Sequence, residues 1–161
     1  MRNVVVVDGF RTPLCKEGTD FRETDADVLG AWVVREMITK VSPLESPLET
    51  IDCVLGSNVA TPTHAVNPTR VAAVTGGLPA TIPADTVAGK NCGSGVTALY
   101  YASLRIRSGD ADTVLVLGME AMSRIPIIYH HIVADLLLQY GKARSFQGTC
   151  RRRSCPHSHA P

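Results

Sequence analysis

Residues 86–104 read TVAGKNCGSGVTALYYASL, and this stretch decides the fold class. Residues 86–88 predict a short β-strand. The glycines around Cys92 come after this strand, and a helical pattern follows them. A strand that passes through a glycine-rich turn into a helix is the repeating unit of an α/β protein. The apolar residues that define one face of this predicted helix are Val96, Leu99, Tyr100 and Leu104.

The same alternation continues on both sides of this stretch. Short runs of β-branched or apolar residues predict strands that are buried on both faces of a parallel sheet. The sequence therefore predicts an α/β fold with a mostly parallel sheet and helices on both faces. The further predicted elements are strands at residues 4–7, 51–55 and 113–117, and helices over residues 29–37, 67–77 and 132–140.

Composition excludes several classes of protein. The 161 residues fit one domain, and sixteen basic against fifteen acidic side chains give a formal net charge of +1. That balance provides no field for nucleic acid or an anionic membrane surface. No signal peptide or membrane span is visible. The five cysteines are odd in number and scattered, which predicts a reducing, cytoplasmic setting.

Cys92 is the candidate for covalent chemistry, because it stands where the predicted strand gives way to the helix. The unpaired N–H groups at a helix N-terminus favour a thiolate, which can attack a thioester carbonyl. Gly93 and Gly95 let the backbone approach an acyl group and donate to an oxyanion. On spacing alone the alternative stays open that Cys92 is a buried structural cysteine.

Four segments resemble the thiolase family, in the order in which the family has them. Residues 11–13 (RTP) resemble its opening motif, and residues 67–79 resemble its NPAR…A…GLP segment. Residues 91–95 (NCGSG) match the motif around the nucleophile, and residues 118–123 (GMEAMS) are similar to the GGMESMS motif. β-Ketoacyl synthases, the alternative condensing enzymes, lack the first and last of these motifs and match less well.

The resemblance implies an acyltransferase that moves acyl groups between coenzyme A thioesters, by thiolytic cleavage or by Claisen condensation. Cys92 would carry the acyl group, and its N–H would line an oxyanion hole. Arg70 would support a coenzyme A phosphate, with a solvated helix arginine as the alternative. Coenzyme A is then a substrate, no cofactor is permanently bound, and the full-length family forms homo-oligomers.

The resemblance covers residues 1–123, as a half-domain core, and residues 124–148, as the start of a loop region. Residues 149–161 have no periodicity and are predicted to be a disordered tail, with no metal site despite Cys150, Cys155, His157 and His159. The family's Gly-His-Pro histidine, second catalytic cysteine and NEAF-like motif do not occur in this sequence. We therefore expect a truncated chain that is inactive alone, or a half-thiolase module that pairs with a partner chain.

Overall fold

The computed structural model describes residues 2–41 and 50–142. The chain divides into two compact units after Pro126. Strands and helices alternate through the first unit, and the second contributes one helix. The elements in chain order are α1 (Ala26–Val41), β1 (Cys53–Ser57), α2 (Pro68–Gly76), β2 (Ala84–Val87), α3 (Ser94–Ser108), β3 (Val114–Gly118) and α4 (His131–Lys142).

The three strands form a parallel sheet in the order β2-β1-β3. Val54 of the central strand β1 lies opposite Ala84 of β2, and Cys53 lies opposite Val114 of β3. All of β1 is buried, as expected for a parallel strand that is covered on both faces. The carboxyl ends of all three strands lie on one edge, where open α/β sheets bind their ligands.

These elements confirm the predicted α/β class and the parallel sheet. The strands predicted at residues 51–55, 86–88 and 113–117 are present, displaced by one or two residues. The displacement arises because hydrogen bonding to a neighbour, rather than composition, decides where a strand begins and ends.

The strand predicted at residues 4–7 is wrong. That segment forms no strand and pairs with none of the three strands in the described sheet. Val5, Val6 and Val7 are exposed by 75%, 86% and 89%. β-Branched residues favour a strand only where a neighbouring strand accepts their hydrogen bonds and another layer covers their side chains. The valine run meets neither condition here.

Helices α1 and α2 cover one face of the sheet and form the larger core. Gly76 of α2 lets the two helices approach closely, because a methyl group there would lie 2.6 Å from the Cβ of Val34 in α1. Gly30 likewise admits Met119, whose sulfur would lie 2.8 Å from such a methyl group. The buried members of this core are Ala26, Val34, Val54, Ala72, Ala73, Leu78, Ile82, Ala84, Leu117 and Met119.

Helix α3 covers the other face with small residues only. Ala98 and Ala102 pack on Leu55, and together they form the buried part of this second core. The predicted helix is confirmed, and its apolar face is exposed. The exposed residues of that face, called the α3 stripe below, are Val96 (72%), Leu99 (53%), Tyr100 (58%) and Leu104 (43%).

The predicted helix at residues 67–77 is confirmed as α2, and local side-chain and backbone bonds define both of its ends. The Asn67 side chain accepts a hydrogen bond from Arg70 N at 3.0 Å, and Pro68 occupies the first turn. Gly77 ends the helix with φ of 110°, and its N–H turns back toward the last carbonyls. Glycine adopts this left-handed conformation without the steric cost that a Cβ would impose.

The second unit holds α4, which confirms the helix predicted over residues 132–140. Its apolar side chains, among them Leu136 and Leu137, are exposed. Within residues 2–41 and 50–142, no helix is long and apolar enough to cross a membrane. The predicted disordered tail at residues 149–161 and its cysteines and histidines lie outside the described residues.

Candidate active site around Cys92

Cys92 lies in a single 3₁₀ turn, Asn91–Gly93, that runs directly into α3 at Ser94. The turn follows β2 at the carboxyl edge of the sheet, and the Cys92 side chain is exposed. The structure thus places Cys92 at the helix start that the sequence predicted. The alternative of a buried structural cysteine is wrong for Cys92, whereas Cys53, inside β1, is buried.

The backbone of the turn is held by short local hydrogen bonds. Gly93 N donates to Lys90 O at 3.0 Å, and Ser94 Oγ donates to Asn91 O at 2.8 Å. Asn91 has φ of 48°, in the left-handed region that asparagine tolerates better than most residues. No side chain in the described part of the chain caps the N-terminus of α3. The backbone of the turn takes this place, because the amides of Gly93 and Ser94 donate to Lys90 O and Asn91 O.

The two glycines next to Cys92 have different surroundings. A methyl group on Gly93 would meet nothing within 4 Å, so the space beside this residue is open. A methyl group on Gly95 would lie 3.7 Å from Ser57 Oγ, so this glycine faces the end of β1. Gly93 is thus the glycine that leaves room for a ligand, and Gly95 is the one that lies against the sheet. Their predicted support of an oxyanion stays a prediction.

Arg70 is already engaged by the fold. Its guanidinium donates to Ile82 O and to Ala80 O, both at 2.6 Å. These bonds tie α2 to the segment that leads into β2, and the residue is partly buried. Arg70 therefore binds backbone carbonyls, whereas the alternative considered above was an arginine surrounded by solvent. The predicted contact with a coenzyme A phosphate would have to compete with two carbonyls, and it stays a prediction.

The comparisons with known proteins identify the family. The family model described as "Thiolase, N-terminal domain" matches residues 4–148 of this chain. The chain belongs to the thiolase family.

The chain is similar to longer proteins of staphylococci. It is 39% identical over 133 residues to a probable acetyl-CoA acyltransferase of Staphylococcus aureus, which covers 81% of this chain and 32% of the relative. The corresponding protein of Staphylococcus epidermidis is 38% identical over 130 residues, with 80% and 32% covered. The chain thus spans about a third of the length of these relatives.

A solved structure supports the fold. The acetyl-CoA acetyltransferase of Bacillus anthracis superimposes with a TM-score of 0.64 at 26% sequence identity. The superposition covers 71% of this chain and 28% of that protein. The described helices and parallel sheet are therefore those of a thiolase-like α/β half-domain.

Two polar groups of this thiolase-family chain were missed by the sequence analysis. Glu120 accepts hydrogen bonds from the backbone of the loop after β1, although its motif had been noted only as a resemblance. His64 Nε2 lies 3.2 Å from Asp27 Oδ1, in a pair between that same loop and the start of α1. No sequence spacing signals this pair, because its members are brought together only by the packing of α1 on the sheet.

A groove of about 530 Å³ lies between β2 and α3. Its polar lining includes Asp85, Lys90 and Arg105, and Arg105 lies 3.7 Å from the Asp85 carboxylate. A hydrogen bond with Cys53 and the nearby carboxylates raise the pKa of Arg105. Cys92 does not line the groove. We place the candidate chemistry at the Cys92 turn, which lies outside this groove.

Proposed function

We propose that this chain supplies the acyl-accepting part of a thiolase active site, with Cys92 as the nucleophile. The observation that carries the proposal is the exposed Cys92 thiol at the uncapped start of α3, on the carboxyl edge of the sheet, in a chain of the thiolase family. Coenzyme A thioesters are the proposed substrates, and no resident cofactor is required. We further propose a cytoplasmic setting and, for the full-length family member, a homo-oligomer.

In the proposed step the Cys92 thiolate attacks the carbonyl carbon of an acyl-coenzyme A thioester. The negative charge moves to the carbonyl oxygen, where the Cys92 N–H, which the resemblance implies lines an oxyanion hole, would stabilise it. The bond from carbon to the coenzyme A sulfur then breaks. Coenzyme A leaves as a thiolate that takes up a proton, and the acyl group remains on Cys92 as a new thioester.

The groups for the remaining steps are not in this sequence. The family's Gly-His-Pro motif, which the resemblance implies activates the nucleophile, does not occur in the 161 residues. General acid–base groups contribute about 10²–10⁴-fold each, and one oxyanion donor about 10²–10³-fold. We therefore propose that the chain by itself accepts one acyl group slowly and does not turn over.

Acyl transfer to Cys92 is tested with the purified chain and acetyl-coenzyme A, followed by peptide mass mapping. We expect acetylation at Cys92 in preference to Cys15, which is exposed but lies outside any helix start. Cys150 and Cys155 are replaced by serine beforehand, so that only cysteines of the described residues compete. Equal labelling of Cys15 and Cys92 would count against the proposal, and Cys92→Ser is the matched control.

Turnover is tested in a steady-state thiolysis assay with acetoacetyl-coenzyme A and a longer 3-ketoacyl thioester. We expect no multiple turnover, and the same background from the Cys92→Ala variant. A Cys92-dependent rate typical of enzymes, on the order of 10 per second, would contradict the proposal. His64 would then be the first residue to replace, since its imidazole already pairs with Asp27.

A second candidate function is an interaction module. The α3 stripe favours it, because four large apolar side chains on one helix face lack cover within the described residues. Such exposed faces mark surfaces that bind another protein segment. In this alternative the chain is a half-thiolase that pairs with a chain carrying the rest of the family's domains. Co-purification with such a chain, lost in a Leu99→Asp variant, would support it.

A further inference from the structure

The motif at residues 118–123 has no role in the chemistry proposed above, yet it makes the main polar contacts at the exit of β1. Met119 N donates to Ser57 O at 3.1 Å, and Met119 O accepts a bond from Asn58 Nδ2 at 3.1 Å. Ser123 Oγ accepts a bond from Gly18 N at 2.9 Å. The motif therefore joins the segment after β3 to two other parts of the chain.

Glu120 makes the densest set of these contacts. Its carboxylate accepts from Val59 N at 2.8 Å, from Ala60 N at 3.4 Å and from Asn58 Nδ2 at 3.3 Å. The three donors come from consecutive residues of one loop, residues 58–60. Hydrogen bonds to an ionised acceptor are stronger than neutral ones, so one side chain fixes the whole loop.

The Asn58 amide is oriented toward the motif at residues 118–123. Asn58 is 2% exposed, and its Nδ2 donates to both Met119 O and Glu120 Oε1. Its Oδ1 is buried and has no hydrogen-bond partner among the described residues. Turning the amide over would place Oδ1 against two acceptors. Asn58 thus keeps an unsatisfied oxygen while its Nδ2 serves both Met119 O and the Glu120 carboxylate.

The loop that Glu120 fixes, residues 58–60, begins where β1 meets the start of α3. Ser57, the last residue of β1, faces Gly95 of the first turn of α3 and Gly118 at the end of β3. Methyl groups on these glycines would lie 3.7 Å and 3.5 Å from Ser57 Oγ. The contact between the sheet and the Cys92 helix start therefore depends on where the chain leaves β1.

We infer that Glu120 is a positioning residue for the candidate site: it fixes residues 58–60, and through Ser57 it sets the position of the first turn of α3 and of Cys92. The inference rests on the proposed function for its relevance to acyl transfer. Its structural content, a coupling between the Glu120 carboxylate and the α3 start, is measurable without activity.

The test uses the full chain labelled with [¹⁵N]glycine, in which the amide signals of Gly93 and Gly95 report on the Cys92 turn. We expect Glu120→Gln to shift both signals while that of Gly77, at the end of α2, stays in place. The matched control is Glu36→Gln, which removes an exposed carboxylate of α1. Asn58→Ala, which leaves the two backbone donors to Glu120, should give smaller shifts of the same signals.

The same variants are acetylated and mapped. Because small displacements of reacting groups have large effects on rate, we expect Glu120→Gln to lower the ratio of Cys92 to Cys15 labelling about tenfold. Unchanged Gly93 and Gly95 signals in both Glu120→Gln and Asn58→Ala would overturn the inference, as would a loss of the folded spectrum in both. Shifted Gly93 and Gly95 signals in a protein that is never acetylated at Cys92 would support the positioning role and contradict the proposed function.

Discussion

The two faces of the sheet differ in how completely they are covered. On the face of α1 and α2, ten buried residues form one core, and glycines let the helices approach closely. On the face of α3, three residues form the buried core, and the α3 stripe is exposed. The face of α1 and α2 therefore supplies most of the stability. On the other face, the apolar side chains of the α3 stripe lack cover among the described residues.

The candidate site and the larger core therefore lie in different elements. The Cys92 turn belongs to α3, the less embedded helix, whereas the loop that Glu120 fixes leaves the central strand. A helix that rests on alanines alone can be displaced without disrupting the larger core. The predictions below test whether the two faces differ in stability as much as they differ in burial.

The largest effect is expected at Gly56 in β1. A methyl group there would lie 1.9 Å from Thr69 Oγ1 of α2, so Gly56→Ala forces the helix off the sheet. We expect the free energy of unfolding to fall by about 3 kcal/mol or more. Gly93→Ala is the matched control, because the space around Gly93 is open. Urea denaturation followed by circular dichroism measures both, and equal losses would break the comparison.

A smaller effect is expected from truncating one side chain on each face. Val34 is 1% exposed and packs in the larger core, so Val34→Ala should lower the free energy of unfolding by about 2 kcal/mol. Leu99, in the α3 stripe, is 53% exposed, and Leu99→Ala should change it by less than about 0.5 kcal/mol. A loss at Leu99 that matched the loss at Val34 would show that the stripe is covered in solution.

The smallest effect concerns the sheet itself rather than either face. Asp52 Oδ2 accepts bonds from Thr113 N at 2.9 Å and Asp112 N at 2.7 Å, and these bonds lower the pKa of Asp52. A lowered folded pKa contributes stability above the unfolded value, roughly 3.9. That contribution is lost as the pH falls through the folded pKa.

We therefore expect the free energy of unfolding of the Asp52→Asn variant to fall less steeply with decreasing pH than that of the natural chain. The measurement is urea denaturation at a series of pH values from neutral to below the unfolded pKa. Asp20→Asn, at an exposed position of the loop before α1, is the control. An identical pH dependence in natural chain and Asp52→Asn variant would show that the two N–H bonds contribute nothing in solution.

The sequence predicted what local chemistry decides. The ends of α2 follow from Asn67, Pro68 and Gly77, and the helix start at Cys92 follows from its glycines. What it missed depends on distant neighbours. The valines at residues 4–7 have strand propensity, but no strand of the described sheet pairs with them. Propensity and periodicity show that a surface is apolar, but they do not show which partner covers it.

The candidate site shows the same limit. Cys92 was found from its neighbours along the chain, whereas the contact of Glu120 with residues 58–60 joins segments some sixty residues apart. The hydrogen-bond partners of Arg70 were missed for a related reason, because backbone carbonyls carry no mark in the sequence. A motif can point to a side chain such as that of Glu120 without showing which backbone groups it binds.

The parallel sheet has a consequence for how the chain is made. The central strand β1 leaves the ribosome first, but its neighbours are β2 and β3, and Val54 must wait for Ala84 while Cys53 must wait for Val114. No hairpin joins any two of the three described strands, so each of their pairings closes a long loop before it gains stability, and such pairings form slowly. During synthesis both edges of β1 therefore stay open until β2 and then β3 have emerged, and a chaperone that shields this strand would act in that interval.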